Sequence, residues 1–195
     1  MSVISMRNLQ RREQVILGVD PGTTVMGYGV IKTVGNKATL LTMGVIDFKD
    51  CETHYDKLNK IFTRVTEIIN EFDPEILSIE APFYGKNVQS MLKLGRAQGV
   101  AIAACMQAGL KVYEYSPLKI KMALTGNGGA SKEQVADMLR RFLHIPLDDL
   151  NLKLDATDAL AVAYCHFLQK KNPVSDKPYK NWKDFLAKNG DRIKK

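Results

Sequence analysis

The change of hydrophobic period near residue 50 constrains this 195-residue chain more than any other feature. Before it, apolar residues fall in short β-rich runs over 15–19, 27–33 and 38–48. Turn residues separate them, PGTT at 21–24 and Gly35-Asn36, so the three runs predict an antiparallel meander. After it, Leu58, Ile61, Phe62, Val65, Ile68, Ile69 and Phe72 recur at helical spacing until Asp73-Pro74 stops the helix. Strand and helix then alternate, with a strand over 75–79, a long helix over 88–108 and a strand over 111–115. Ser116-Pro117 opens a further helix as N-cap and first helical residue. The loop TGNGGASK at 125–132 follows, then a helix to about 142 behind a Ser131/Gln134 capping box, and a last helix over about 155–169. The order predicts an α/β chain with a mixed five-stranded sheet, an antiparallel meander and then parallel strands, flanked by helices.

Composition narrows the partner and the compartment. With 28 Lys+Arg against 21 Asp+Glu the net charge is +7, and 45% of residues are hydrophobic, as in an ordinary globular protein. Residues 170–195 hold nine Lys/Arg and three Asp, and residues 1–14 hold three Arg and one Glu, which leaves −1 between them. That middle stretch is polarised: 42–80 have four basic and nine acidic side chains, whereas 86–141 have nine basic and three acidic. Solvated helix faces explain any one such cluster, but a nearly neutral core with one basic half also suits a polyanion-binding groove. The chain divides on this basis into an N-terminal extension (1–14), a domain (15–170) and a basic tail (171–195). No apolar run is long enough to span a membrane, and the first fourteen residues lack the core of a signal peptide. Cys51, Cys105 and Cys165 are too scattered for a disulfide framework or a CxxC metal site. A reduced, cytoplasmic protein without membrane contact is expected.

Four carboxylates sit where a purely structural sequence rarely puts them. Asp20 ends VILGVD immediately before Pro-Gly, and Glu80 ends LSIE immediately before Ala-Pro. Both are expected to project from strand ends near the sheet's edge, where ligand crevices of α/β sheets lie. Asp155 and Asp158, in LDATDAL, are three apart and share one face of the last helix. Singly, each has a structural explanation: a turn residue, a strand terminator, an N-cap, a partner of the helix dipole. Jointly they pose a charge problem, because converging carboxylates drive one another toward the neutral form unless a cation is present. Mg2+ answers it, since it takes oxygen ligands and keeps positions for water and phosphate oxygens. Two such ions can activate a water and stabilise the leaving oxygen of a phosphodiester. The predicted chemistry is metal-dependent phosphodiester hydrolysis on a polyanion.

Helix 88–108 is rich in small residues, with Gly95 and Gly99 four apart. A helix-interior glycine costs about 0.8–1 kcal/mol relative to alanine. A close approach to the sheet or to a second subunit is therefore expected on that face.

The segments ILGVDPGTTVMGYGVI (16–31), SIEAPFYGKNVQSMLKLGRAQGVAI (78–102), KIKMALTGNGGASKEQV (119–135) and LDATDALAVAYCH (154–166) resemble the RuvC family of Holliday junction resolvases. The resemblance runs in unbroken order over about 15–169. It implies a ribonuclease H-like fold, a homodimer and symmetric nicking of two strands of four-way junction DNA. It also implies two Mg2+ ions per site, with Mn2+ as a substitute, and the branch-migration proteins RuvA and RuvB as partners. By motif position Asp20, Glu80, Asp155 and Asp158 are similar to the family's catalytic, metal-binding quartet. Phe83 falls where the family places an aromatic near the junction centre, and Lys121 and Lys132 match basic residues associated with DNA binding and catalysis. The residues agree in kind. Phe83 lies in a Pro/Gly-flanked loop, placed to stack on a splayed base or to cap the core. Lys121 and Lys132 flank the glycine loop and suit phosphate contacts, with Lys86, Lys93 and Arg96 as further candidates for the same groove. His54, His144 and His166 lack metal-ligand spacing and read as structural or exposed.

Three other readings compete. A strand followed by DPGTT also resembles the phosphate loop of actin-like and sugar-kinase ATPases, but 195 residues leave no room for their second domain. A RuvC-like nuclease acting on ribosomal RNA precursors is closer. A junction-binding protein without cleavage is disfavoured, because four carboxylates without metal repel phosphate.

Overall fold

The meander forms because three β-rich runs are joined by turns too short for anything else. In the computed structural model, which describes residues 13–82, 87–145 and 154–171 (residue 171 as backbone only), these are Glu13–Asp20 (β1), Val25–Val34 (β2) and Lys37–Asp47 (β3). Both neighbouring pairs are antiparallel, and Gly35 turns β2 into β3 at φ 58°, a conformation that strains other residues. Strand β1 takes in Glu13 and Gln14, which the charge pattern had placed in the extension. Ile76–Glu80 (β4) and Lys111–Tyr115 (β5) join in parallel, giving the order β3-β2-β1-β4-β5. This is the mixed five-stranded sheet expected. Asp20 and Glu80 end the interior strands β1 and β4, not strands at the sheet's edge.

Five helices among the described residues cover the two faces: His54–Phe72 (α1), Val88–Gln107 (α2), Pro117–Thr125 (α3), Lys132–Leu143 (α4) and Leu154–Lys171 (α5). Local chemistry sets their limits. Ser116 caps α3 ahead of Pro117, and Ser131 and Gln134 satisfy each other's backbone N–H at the start of α4. Asp73 ends α1 in the left-handed region immediately before Pro74. The period-2 alternation of the strands then divides the core. Leu17, Val19, Leu77 and Ile79 point to the side of α1 and α2, packing with Ile61, Val65, Ile68, Ala97 and Ala101. Ile16 and Ile76 point to the other side, where α3, α4 and α5 supply Ile120, Leu139 and Leu160.

Two expectations change. Phe62 belongs to the apolar stripe of α1 by spacing but is 41% exposed, since the buried part of that stripe is Ile61, Val65, Ile68 and Ile69. Gly95 and Gly99 do not approach the sheet: a Cβ at either meets nothing within 4 Å, and the face of α2 that packs inward carries Ala97, Gln98, Ala101, Ala104 and Cys105. No helix among the described residues is long and apolar enough to cross a membrane.

Candidate active site

Strand parity places the first two carboxylates. In the parallel register of β1 and β4, Ile16 lies beside Ile76 and Gly18 beside Ser78. Continuing by two brings Asp20 alongside Glu80, both on the α5 face of the sheet. Neither can turn to the opposite face without a one-residue slip that would expose Leu17, Val19, Leu77 and Ile79.

Glycines bring the other two carboxylates down to them. Gly18 and Gly29 are cross-strand partners in β1 and β2, and Gly27 pairs with Asp20. Helix α5 lies backbone-close on this patch. A Cβ at Gly27 would sit 2.0 Å from the carbonyl oxygen of Asp155, and one at Gly18 would sit 2.2 Å from that of Ala159. At Gly29 it would lie 2.8 Å from the Cα of Leu160. The facing helix answers with small residues, Ala156, Ala159 and Ala163, all buried. Ser78 fixes the helix further, its hydroxyl donating to the carbonyl of Val162 at 2.8 Å. The first turns of α5, which carry Asp155 and Asp158, are thereby held over the ends of β1 and β4.

The result is a cavity of about 220 Å³ lined by Asp20, Glu80 and Asp158 together with Lys121 and Lys132, closed below by Ile120, Val135 and Ala161. Lys132, the first residue of α4, pairs with the Asp158 carboxylate. A second cavity of about 140 Å³ opens from Asp20 and Glu80 toward α2, between Pro21, Pro82, Leu94 and Gln98. Burial pushes the Asp20 carboxyl from its ordinary 3.8 up to about 8, helped by the like charges of Glu80, Asp158 and Asp155 and opposed by Lys132. Glu80 is raised for the same reasons, burial first and then Asp158, with Lys132 and Lys121 opposing. Lys132 is held above its usual range chiefly by its hydrogen bond to Asp158.

Comparison with known proteins bears on this arrangement. The family model described as crossover junction endodeoxyribonuclease RuvC matches residues 16–166. The chain belongs to the RuvC family. Its RuvC relative from Bacteroides fragilis is 58% identical, over 94% of this chain and 97% of that one. The Porphyromonas gingivalis RuvC is 53% identical, over 94% and 98%. In structure, Thermus thermophilus RuvC in complex with a Holliday junction substrate superposes with a TM-score of 0.75 at 34% identity, covering 81% of this chain and 95% of that one. The yeast mitochondrial resolvase Ydc2 shares the fold alone, with a TM-score of 0.62 at 13% identity over 80% and 78% of the chains. The ribonuclease H-like fold expected from the sequence is the fold of this RuvC-family chain.

Of the residues singled out in the sequence, Asp20, Glu80, Asp158, Lys121 and Lys132 share one cavity. Asp155 lies one helical turn before Asp158 and acts on Asp20 and Lys132 through its charge. Phe83 and Lys86 lie outside the described residues. Sequence reasoning passed over Gln98. Only 5% exposed, it donates from Nε2 to the Glu80 carbonyl at 3.3 Å and to Glu114 Oε1 at 3.1 Å, tying α2 to the ends of β4 and β5. A long polar side chain on the small-residue face of a helix was the available signal. His166 takes the structural of its two expected roles: it is buried, its ring tilted against Tyr113, with Nδ1 2.8 Å from the Tyr115 hydroxyl.

Proposed function

We propose that this RuvC-family chain resolves four-way DNA junctions, hydrolysing one phosphodiester in each of two strands by paired symmetric nicks. The observation that carries the reading is the facing of Asp20, Glu80 and Asp158 across one cavity bordered by Lys121 and Lys132. Acidic groups alone would repel a phosphodiester, and lysines alone would bind it without activating water. The combination suits both tasks.

The donor set fits a divalent cation in kind. It offers carboxylate oxygens alone, and Asp20 is forced toward its neutral form by burial and by three like charges, a cost that a cation relieves. Among the described residues no three His, Cys, Asp or Glu side chains are gathered to hold an ion as they stand, so the carboxylates must draw in when loaded. In this reading Asp20, Glu80, Asp155 and Asp158 hold the metal, two Mg2+ ions with Mn2+ as a substitute. Bound there, Mg2+ supplies an activated water and neutralises charge on the leaving oxygen. Asp20 gives up its proton on loading. Lys132 balances Asp158 in the metal-free protein and, once freed of that partner, holds a phosphate oxygen. Lys121, beside Glu80, does the same from α3. Phe83 stacks at the junction centre and Lys86 contacts the backbone.

Two nicks call for two sites, and we read the chain as a homodimer. Val88, Leu92, Gly95, Gly99 and Met106 fall on one face of α2. Of these, Val88 is 66% exposed, Leu92 53% and Met106 62%, with open space over both glycines. A catalytic domain that begins with β1 at Glu13 and runs to about 170, with basic flanks on either side, a cytoplasmic location, and cooperation with RuvA and RuvB belong to the same proposal.

The test uses a synthetic four-way junction, a linear duplex and a structured RNA, each with Mg2+ or with chelator. Paired nicks at symmetric positions in the junction alone, dependent on Mg2+, are expected. Equal cutting of the duplex, or cutting of the RNA alone, would replace the proposal with a general or an RNA-directed nuclease. Tight junction binding with no cutting under any metal would make the protein a binder.

A further inference from the structure

Beside Gly22 and Thr23, in the turn that follows Asp20, lies a cavity of about 220 Å³ that the carboxylates do not line. It is enclosed by Gly22 and Thr23 of the turn, by Phe48 and Cys51–Thr53 ahead of α1, by His54, Lys57 and Ile61 of α1, and by Lys93 and Ala97 of α2. Three observations define its chemistry. Lys57 is braced there, its ammonium donating to the Thr23 carbonyl at 3.0 Å and lying 5.7 Å from the centre of the Phe48 ring. Lys93 contributes a second ammonium from α2. The third is the Nε2 atom of His54, which is buried from solvent and has no hydrogen-bond partner. A buried ring nitrogen left unmatched is costly, so this wall of the cavity is not fully satisfied as it stands.

We propose that this cavity is a second phosphate subsite, occupied by a backbone phosphodiester of the bound DNA and formed by Lys57 and Lys93, with the His54 ring in its wall. The inference rests on the junction-binding reading above and adds a contact to it. Its position follows from the helix: Lys93 and Ala97 line this cavity, while Leu94 and Gln98, one residue on, line the cavity that opens from Asp20 and Glu80. The two cavities thus share helix α2, and in this proposal a strand crossing the carboxylates sets a neighbouring phosphate at the two lysines.

The charges around His54 agree with an anion as the occupant of the cavity. Burial holds its imidazole below the usual range, and Arg96, Lys93 and Lys57 push the same way. Acidic groups are also near: Glu52 lines the cavity, and Asp56 is engaged in the capping box with Thr53. An entering phosphate offsets the three cations, which a neutral ligand would not do.

The experiment uses full-length protein carrying Asp20→Asn, so that substrate survives, with and without Lys57→Gln and Lys93→Gln. Junction affinity is measured across a salt series, and the His54 imidazole is followed by NMR as a short DNA duplex or inorganic phosphate is added. The parent is expected to bind the junction with an affinity that falls steeply with salt. The double variant is expected to bind about tenfold more weakly at 0.1 M salt, with a log–log salt slope shallower by about 1 to 2. The His54 resonances should move with DNA in the parent and not in the double variant. Unchanged affinity and slope in a folded double variant would overturn the subsite while leaving the junction reading intact. Movement of His54 with free phosphate but not with DNA would overturn it too, as an anion site that nucleic acid does not use. Failure of the parent to prefer junctions over duplex would instead count against the junction reading.

Discussion

Replacing Asp20 by Asn is expected to lower junction cutting by about 10³-fold or more while leaving junction binding as tight as before, or tighter. The substitution keeps the shape of a side chain at the centre of the cavity but removes the charge that would hold a divalent cation there. It also removes one negative charge from the path of the phosphates, which is why binding should not suffer. A second readout separates this role from a structural one. In the metal-free fold the Asp20 carboxyl titrates near 8, against an ordinary 3.8. A raised folded-state value means that its contribution to stability is complete below about 3.8 and is lost as the pH rises through about 8. The Asn variant has no such loss. Its melting temperature without metal should match the parent near pH 4 and exceed it by at least about 4 °C at pH 9. Loss of cutting together with a lower melting temperature at pH 9 would assign Asp20 to the core instead of the chemistry.

Gly27→Val is expected to damage the site from beneath. Its Cβ would fall 2.0 Å from the Asp155 carbonyl oxygen, a backbone atom that cannot rotate away, so α5 must lift from β2. Overpacking of this kind costs about 1–3 kcal/mol, or roughly 2–12 °C in melting temperature for a chain of this size. The effect on cutting should be larger than the effect on folding. A shift of about 1 Å in reacting groups can cost roughly 10²-fold in rate, and Asp155 and Asp158 ride on the displaced helix. Cutting assayed well below the melting transition separates the two effects. A variant that melts lower yet cuts at the parental rate would show that the glycine patch does not position the carboxylates.

The sequence is most legible where chemistry is local. Both strand-end carboxylates, the Asp155/Asp158 spacing, the Ser131/Gln134 capping box and the Asp73-Pro74 stop all act within a few residues of chain, and each appears as read. What was obscured depends on partners far along the chain. The conspicuous glycines, Gly95 and Gly99, face open space, while the ones that matter for the site, Gly18, Gly27 and Gly29, sit inside strands. Their role appears only when β1 and β2 pair and α5 lies across them, some 130 residues later in the sequence. Lys132 shows the same limit. Its residue type suggested a phosphate contact, but in the protein without nucleic acid the nearest anion is Asp158. His54 reads from the sequence as structural or exposed, because nothing local reveals that its Nε2 is shut away without a partner.

The central claim is that these carboxylates form one metal centre. Crystals of the protein soaked in Mn2+, with anomalous diffraction recorded to locate the ion, test it most directly. Density bounded by Asp20, Glu80 and the two aspartates of α5, with Lys132 withdrawn from Asp158, is the predicted result. Bound Mn2+ held by other residues, with Lys132 still paired to Asp158 and the four carboxylates empty at saturating metal, would contradict it.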